Sequence, residues 1–144
     1  MLPRSYFIPV NYNFNLITKL LQLIYIGLGG FLGAVARFLT ARFVNNYFPS
    51  FPFGTLIVNV SGSFLLGFIV YSLTSGRNIS PEIRDFLTIG FIGAFTTMST
   101  FAYESFRLAE LSEYLYFGLN LFLNLFLCLL AVYAGRELGI LLNK

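Results

Sequence analysis

Gly90-Phe91-Ile92-Gly93-Ala94-Phe95-Thr96-Thr97-Met98-Ser99-Thr100-Phe101 is the stretch that decides how this chain is read. Four hydroxyl residues, Thr96, Thr97, Ser99 and Thr100, fall beside Gly90 and Gly93 inside an otherwise apolar run from about Ile83 to Phe106. A regular helix is weak there, because threonine loses side-chain freedom in a helix and its hydroxyl competes for backbone carbonyls. Two readings follow. In one, the helix is kept and the hydroxyls bond back to the preceding turn. In the other, it unwinds, baring carbonyls that hold a small cation and a helix N-terminus that attracts an anion.

The rest of the chain puts that segment in a bilayer. Of 144 residues, 57% are hydrophobic and 10% charged, where soluble chains carry roughly 25% charged residues. Nine basic and six acidic side chains are too few to clothe a surface in water. One cysteine, Cys128, and no histidine exclude a disulfide framework, a zinc cluster and imidazole catalysis. The basic residues are scattered rather than gathered in a run, so nucleic acid is not a partner the sequence supports.

A spanning helix needs about 20 largely apolar residues. The hydropathy pattern predicts four, at about 20–43, 53–73, 83–106 and 114–142, and so an all-α integral membrane protein. Asn45-Asn46 with Pro49 and Pro52, Ser75 to Asn78, and Glu110 to Glu113 read as the breaks between them. Ser80 before Pro81 reads as an N-cap with proline at the first helical position, a crisp start for the third span. Residues 1–19 read as a polar-aromatic leader, neither a fifth span nor a cleaved signal peptide, whose apolar core would fall in an overlong first span.

Lysine and arginine counts test orientation. Arg4, Lys19, Arg77, Arg84, Arg136 and Lys144 fall on one side, and Arg37, Arg42 and Arg107 on the other. So weak a bias points toward insertion in both orientations, for which an antiparallel homodimer is the natural assembly.

Polar residues inside the spans carry the functional information, since each is costly in hydrocarbon. Thr55, Asn59 and Ser63 share one face of the second span, and Tyr116, Asn120 and Asn124 one face of the fourth. Such stripes either glue helices together or line a polar path; the midspan amide of Asn59 favours the path. Gly29 and Gly33, and Gly135 and Gly139, have the spacing that lets helix backbones touch. Glu104 and Arg107 have the spacing of a surface pair. Phe101 presents a ring edge whose partial positive charge suits an anion.

Residues 29–38 (Gly-Gly-Phe-Leu-Gly-Ala-Val-Ala-Arg-Phe), 54–64 (Gly-Thr-Leu-Ile-Val-Asn-Val-Ser-Gly-Ser-Phe) and 93–101 (Gly-Ala-Phe-Thr-Thr-Met-Ser-Thr-Phe) together resemble the CrcB/Fluc fluoride channels. The resemblance spans roughly residues 25 to 142. It implies four-helix subunits with a broken third helix, paired as a dual-topology antiparallel homodimer. Two antiparallel fluoride pores would surround a central structural sodium ion in the lipid of a bacterial inner membrane, releasing fluoride passively. By motif position, Gly93 and Thr96 would offer carbonyls to the sodium, and Asn59 and Phe101 would face the fluoride pore. Thr97, Ser99, Thr100 and Thr55 would neighbour the path. Arg37 would be the vestibule arginine, Glu104 the acid after the aromatic motif, and the Asn120/Asn124 face would stand where family members place hydroxyls. The family usually has phenylalanine where this chain has Met98, so one pore ring becomes a thioether, and the expectation is that Phe101 and the amides suffice.

Three other readings are weaker. A proton-coupled multidrug exporter needs an acid deep in the first span, and Leu20 to Ala36 contains none. A purely structural membrane subunit would tolerate loss of Asn59 and Phe101. An intramembrane enzyme would lack a histidine or lysine base for its nucleophile.

Overall fold

The computed structural model describes residues 16–74 and 79–142. Within them the chain is α1 (Leu16–Tyr47), α2 (Phe53–Thr74), α3 (Pro81–Asp85), a π-helical segment (Phe86–Ile92), α4 (Gly93–Phe95), α5 (Met98–Glu110) and α6 (Tyr114–Leu141). Helices α1, α2 and α6 and the composite span Pro81–Glu110 are each long and apolar enough to cross a bilayer. Residues 1–15 of the expected leader, the Ser75–Asn78 break with Arg77, and Lys144 lie outside the described residues.

The first boundary moves at both ends. Helix α1 takes in Leu16 to Lys19, which read as leader, and runs past Asn45-Asn46, which read as a break. It ends at Tyr47 because Phe48 precedes Pro49, and proline disfavours helical dihedrals in the residue before it. Asn45 instead serves the next helix: its Oδ1 accepts from Gly54 N at 2.9 Å, satisfying an orphan donor in the first turn of α2. Ser80 and Pro81 start the third span as their chemistry predicts, Ser80 Oγ accepting from Ile83 N at 3.4 Å.

Two parallel pairs build the bundle. Helix α1 lies along the third span, and α2 along α6, the most extensive pairing in the chain. Both seams are backbone against backbone. A Cβ on Gly33 would stand 2.1 Å from Phe91 O, and one on Gly135 2.2 Å from Phe64 O. Only glycine permits such approach, and in lipid, where apolar side chains gain nothing by avoiding the solvent, close packing is a main source of helix association.

Between α4 and α5 the backbone leaves helical dihedrals. Thr96 has φ −77° and ψ 157°, and Thr97 has φ −149° and ψ 111°, both extended. Thr96 Oγ1 bonds back to Ile92 O at 3.1 Å, whereas Thr97 Oγ1 caps α5 by accepting from Thr100 N at 3.2 Å.

Replacing Gly33 by alanine is expected to destabilise the protein by about 1–3 kcal/mol, the usual penalty for overpacking. Gly30→Ala, where a Cβ meets nothing within 4 Å, is the neutral comparison. Thermal melts of the two variants in detergent check this.

Candidate functional site

The two extended threonines lose helical hydrogen bonds, and the lost bonds organise the site. Thr97 N would serve Gly93 O in an uninterrupted helix; it donates instead to Asn59 Oδ1 on α2, at 2.8 Å. Thr100 N would serve Thr96 O, and donates instead to Thr97 Oγ1. Gly93 O and Thr96 O are thereby released from their helical donors, and Arg37 Nη1 approaches Thr96 O at 3.5 Å.

From Asn59 a chain of bonds runs in one direction. Asn59 Nδ2 donates to Thr97 O at 3.3 Å and to Asn124 Oδ1 at 3.0 Å. Asn124 Nδ2 donates to Asn120 Oδ1 at 2.9 Å and Asn120 O at 3.1 Å. Asn120 Nδ2 donates to Ser105 Oγ at 2.9 Å, and Ser105 Oγ donates to Phe101 O at 2.7 Å. The chain leaves the third span at Thr97, crosses α2 and α6, and returns to it at Ser105, which bonds back to Phe101. Its direction is set at the start, since a backbone N–H can only donate and so fixes which way the Asn59 amide points. Asn120 is fully buried and Asn124 is 5% exposed.

Two cavities meet at Thr97. A groove of about 480 Å³ between α2, the third span and α6 is lined by Asn59, Thr97, Met98, Phe101 and Asn124, with Gly93 and Thr96 on its wall. A cavity of about 350 Å³ between α1, α2 and the start of α5 is lined by Arg37, Arg42, Thr55, Thr97 and Thr100. Thr97 lines both and so stands as the partition between them, with Asn59 bonded to it on the groove side. Phe101 is 9% exposed and Met98 73%, so the ring packs within this chain and the thioether projects from it.

The remaining candidates divide. Ser99 lines neither cavity but shares the Thr97 hydroxyl at 3.2 Å, and Thr97 Oγ1 donates to Thr100 Oγ1 at 3.0 Å. Asn120 sits behind Asn124 as its support. The expected Glu104–Arg107 pair does not form: Arg107 Nη1 pairs with Glu110 Oε2 at 2.9 Å, while Glu104 turns toward the Thr55 hydroxyl. Glu104 Oε2 is buried with no partner among the described residues. The sequence reading passed over Ser105, whose signal is its place one turn after Phe101 on the same helical face, and it used Arg42 only as a topology marker.

The CrcB-like protein (Camphor Resistance, CrcB) family model matches residues 24–136. A Campylobacter jejuni protein named fluoride-specific ion channel FluC is 47% identical over 114 residues, covering 78% of this chain and 93% of the relative. A Methanococcus maripaludis protein of the same name is 50% identical over 115 residues, covering 80% and 93%. Fluoride-specific ion channel FluC 1 of Methanosarcina acetivorans is 48% identical over 111 residues, covering 77% and 85%.

Asn59→Leu leaves Thr97 N without an acceptor and Asn124 Oδ1 without a donor, and is expected to destabilise by about 1–3 kcal/mol. Asn59→Leu and Asn124→Leu are expected to be less than additive in a double-mutant cycle of thermal melts, with a coupling on the order of 0.5–2 kcal/mol.

Proposed function

The chain belongs to the CrcB-like family, and from that membership and the geometry at Thr97 we propose that this multi-pass membrane protein is a fluoride-selective channel. It would release fluoride passively across the bacterial inner membrane and so lower its toxicity in the cytoplasm. The observation that carries the reading is the partition at Asn59–Thr97: neutral amide and hydroxyl donors lie between a cavity lined by Arg37 and Arg42 and an uncharged groove.

Fluoride is small and strongly hydrated, so a path for it must exchange water for several donors at close quarters. Asn59, Asn124, Thr97 and Thr100 supply neutral ones, and Phe101 a ring edge. The longest bond of the chain, Asn59 Nδ2 to Thr97 O at 3.3 Å, is the one an arriving anion displaces first. Arg37 and Arg42 gather the anion at the mouth, where water still screens them. No acid is needed for coupling, and no enzymatic step is proposed.

The family resemblance also carries the assembly. In this reading two copies associate antiparallel, each in the opposite orientation, with two pores between them. The exposed groove and the outward Met98 support it, because together they form a recess with Asn59 and Asn124 on its wall that a second copy would cover. The break at Thr96 and Thr97 would stand at the dimer centre, around a structural sodium ion. The residues fit such an ion: Gly93 O and Thr96 O are hard oxygen donors released from their helical partners by the diversions at Thr97 N and Thr100 N, with Thr96 O held only by the long 3.5 Å contact from Arg37. One chain's pair of carbonyls is too few for a cation of this kind, and a second copy doubles them.

Liposomes holding the purified protein are expected to lose fluoride rapidly and chloride slowly, and Asn59→Leu to abolish the fluoride loss. Silence toward both anions in sodium-containing buffer overturns the reading, unless Met98→Phe restores flow, which would instead overturn the sufficiency of Phe101 and the amides. Exchanging sodium for N-methylglucamine throughout purification is expected to lower the melting temperature and the efflux rate together. Sodium-independent melts and efflux would remove the ion from the proposal.

A further inference from the structure

The channel reading leaves a buried ionisable group unused. Asp85 is 1% exposed, closes α3, and stands directly before the π-helical segment. Its Oδ2 accepts from Gln22 Nε2 on α1. Its Oδ1 accepts from Arg84 Nε at 2.9 Å and pairs with Arg84 Nη2 at 2.9 Å. The guanidinium remains 30% exposed, so only the carboxylate is fully withdrawn from solvent. Burying a carboxylate costs several kcal/mol before its partners offset it. Neither Asp85, Arg84 nor Gln22 lines either of the two cavities that meet at Thr97, so the group stands outside the path proposed for the anion.

Its place along the span supplies a reason. Helix α1 touches the third span at successive levels: Gln22 at Asp85, Gly29 against Phe86 O and Gly90, Gly33 against Phe91 O, and Arg37 at Thr96 O. The first and last contacts bracket the π-helical segment. A π-turn holds one residue more than an α-turn. Where it starts therefore decides which way every later side chain points, because one residue of slip turns a helix by about 100°.

We propose that Gln22–Asp85–Arg84 is a register pin, a positioning group that fixes the start of the π-helical segment and through it the aim of Thr96, Thr97 and Phe101. The pin rests on the channel reading only for its functional readout. A backbone that enters the segment one residue early presents different atoms to Asn59, and the partition at Thr97 is lost although the helices remain packed.

The test compares Gln22→Leu, Gln22→Glu, Asp85→Asn and the double variant Gln22→Glu/Asp85→Asn in liposomes at low protein density. Each vesicle then holds one channel or none, and the rate in emptying vesicles is separated from the fraction that empties. Gln22→Glu sets two carboxylates against each other; the double variant restores one carboxylate and one amide with the donor reversed, beside the same arginine. Gln22→Leu and Gln22→Glu are each expected to slow fluoride efflux per active vesicle by about tenfold, equivalent to about 1.4 kcal/mol, and to lower the fluoride-to-chloride ratio. The double variant is expected to recover both relative to Gln22→Glu. Wild-type rate and ratio in a smaller fraction of active vesicles would reduce the contact to a folding role and overturn the proposal, as would failure of the double variant to recover. A wild type silent to fluoride would overturn the channel reading by itself. The same variants would then be judged by Asn59–Asn124 coupling in thermal melts, which Gln22→Glu must weaken and the double variant restore.

Discussion

In lipid no water is at hand to satisfy a stray backbone group, so every N–H and C=O at membrane depth must be bonded within protein or face a wet cavity. At Thr96 and Thr97 the third span gives up two of its own bonds: Asn59 Oδ1 takes the Thr97 N–H, Thr97 Oγ1 takes that of Thr100, and Asn59 Nδ2 donates back to Thr97 O. That exchange constrains the rest of the chain. Asn59 reaches Thr97 only if α2 stands close to the third span, and Asn124 supports Asn59 only if α2 and α6 touch at the backbone. Gly67 and Gly135 allow this, a Cβ on either falling within 2.4 Å of a carbonyl oxygen across the seam. The close packing and the polar chain are therefore one device: glycines bring the helices within reach of hydrogen bonds that would be too long across bulkier side chains.

In the proposed reading the same groups are both structure and conduit. A chain of amides that were all tightly bonded would refuse an anion, and one that were all free would be too costly to bury. At the partition one bond is short and one long: Thr97 N holds Asn59 Oδ1 at 2.8 Å, while Asn59 Nδ2 reaches Thr97 O at 3.3 Å. Fixed charge is confined to one side of the partition, with Arg37 reaching the neighbouring Thr96 O at 3.5 Å. Arg37 and Arg42 line the smaller cavity with the hydroxyls of Thr55, Thr97 and Thr100, and a guanidinium at the partition itself would hold a small anion too firmly for it to leave.

Hydropathy located all four spans, because twenty apolar residues in sequence have few alternatives. Their ends followed side-chain chemistry that a window average does not see. Asn45 looked like a breaker and proved to be a cap for a different helix, a role that exists only once α2 folds back beside α1. The hydroxyl cluster offered two readings, and the residues divide between them: Thr96 bonds back to the previous turn and Thr97 caps the next helix. Glu104 and Arg107 had the spacing of a pair, but Glu110 was equally near in sequence and Thr55 closer in space to Glu104. Asn59, Asn120 and Asn124 were legible as stripes. Their order in a single directed chain was not. Ser105 showed only in its place one turn after Phe101, and the Gln22–Asp85 contact was invisible, since it depends on tertiary neighbours that no periodicity encodes.

Met98 stands where the resemblance to the fluoride channels leads one to expect phenylalanine, and the structure narrows what that difference can mean. Phe101 is nearly buried by its own chain, so its orientation is fixed by groups encoded here, including the Ser105 bond to its carbonyl. Met98 projects into the groove at 73% exposure, and its setting must come from whatever covers the groove. A thioether on three rotatable bonds adapts to such a surface where a rigid ring would have to match it. What is given up is the positive edge that a ring presents to an anion. The substitution thus falls on the half of the aromatic pair that this chain does not itself position, and it leaves intact the half tied into the hydrogen-bonded chain. If the groove is where anions pass, the amides and Phe101 carry recognition, and Met98 chiefly keeps the passage dry and closely packed.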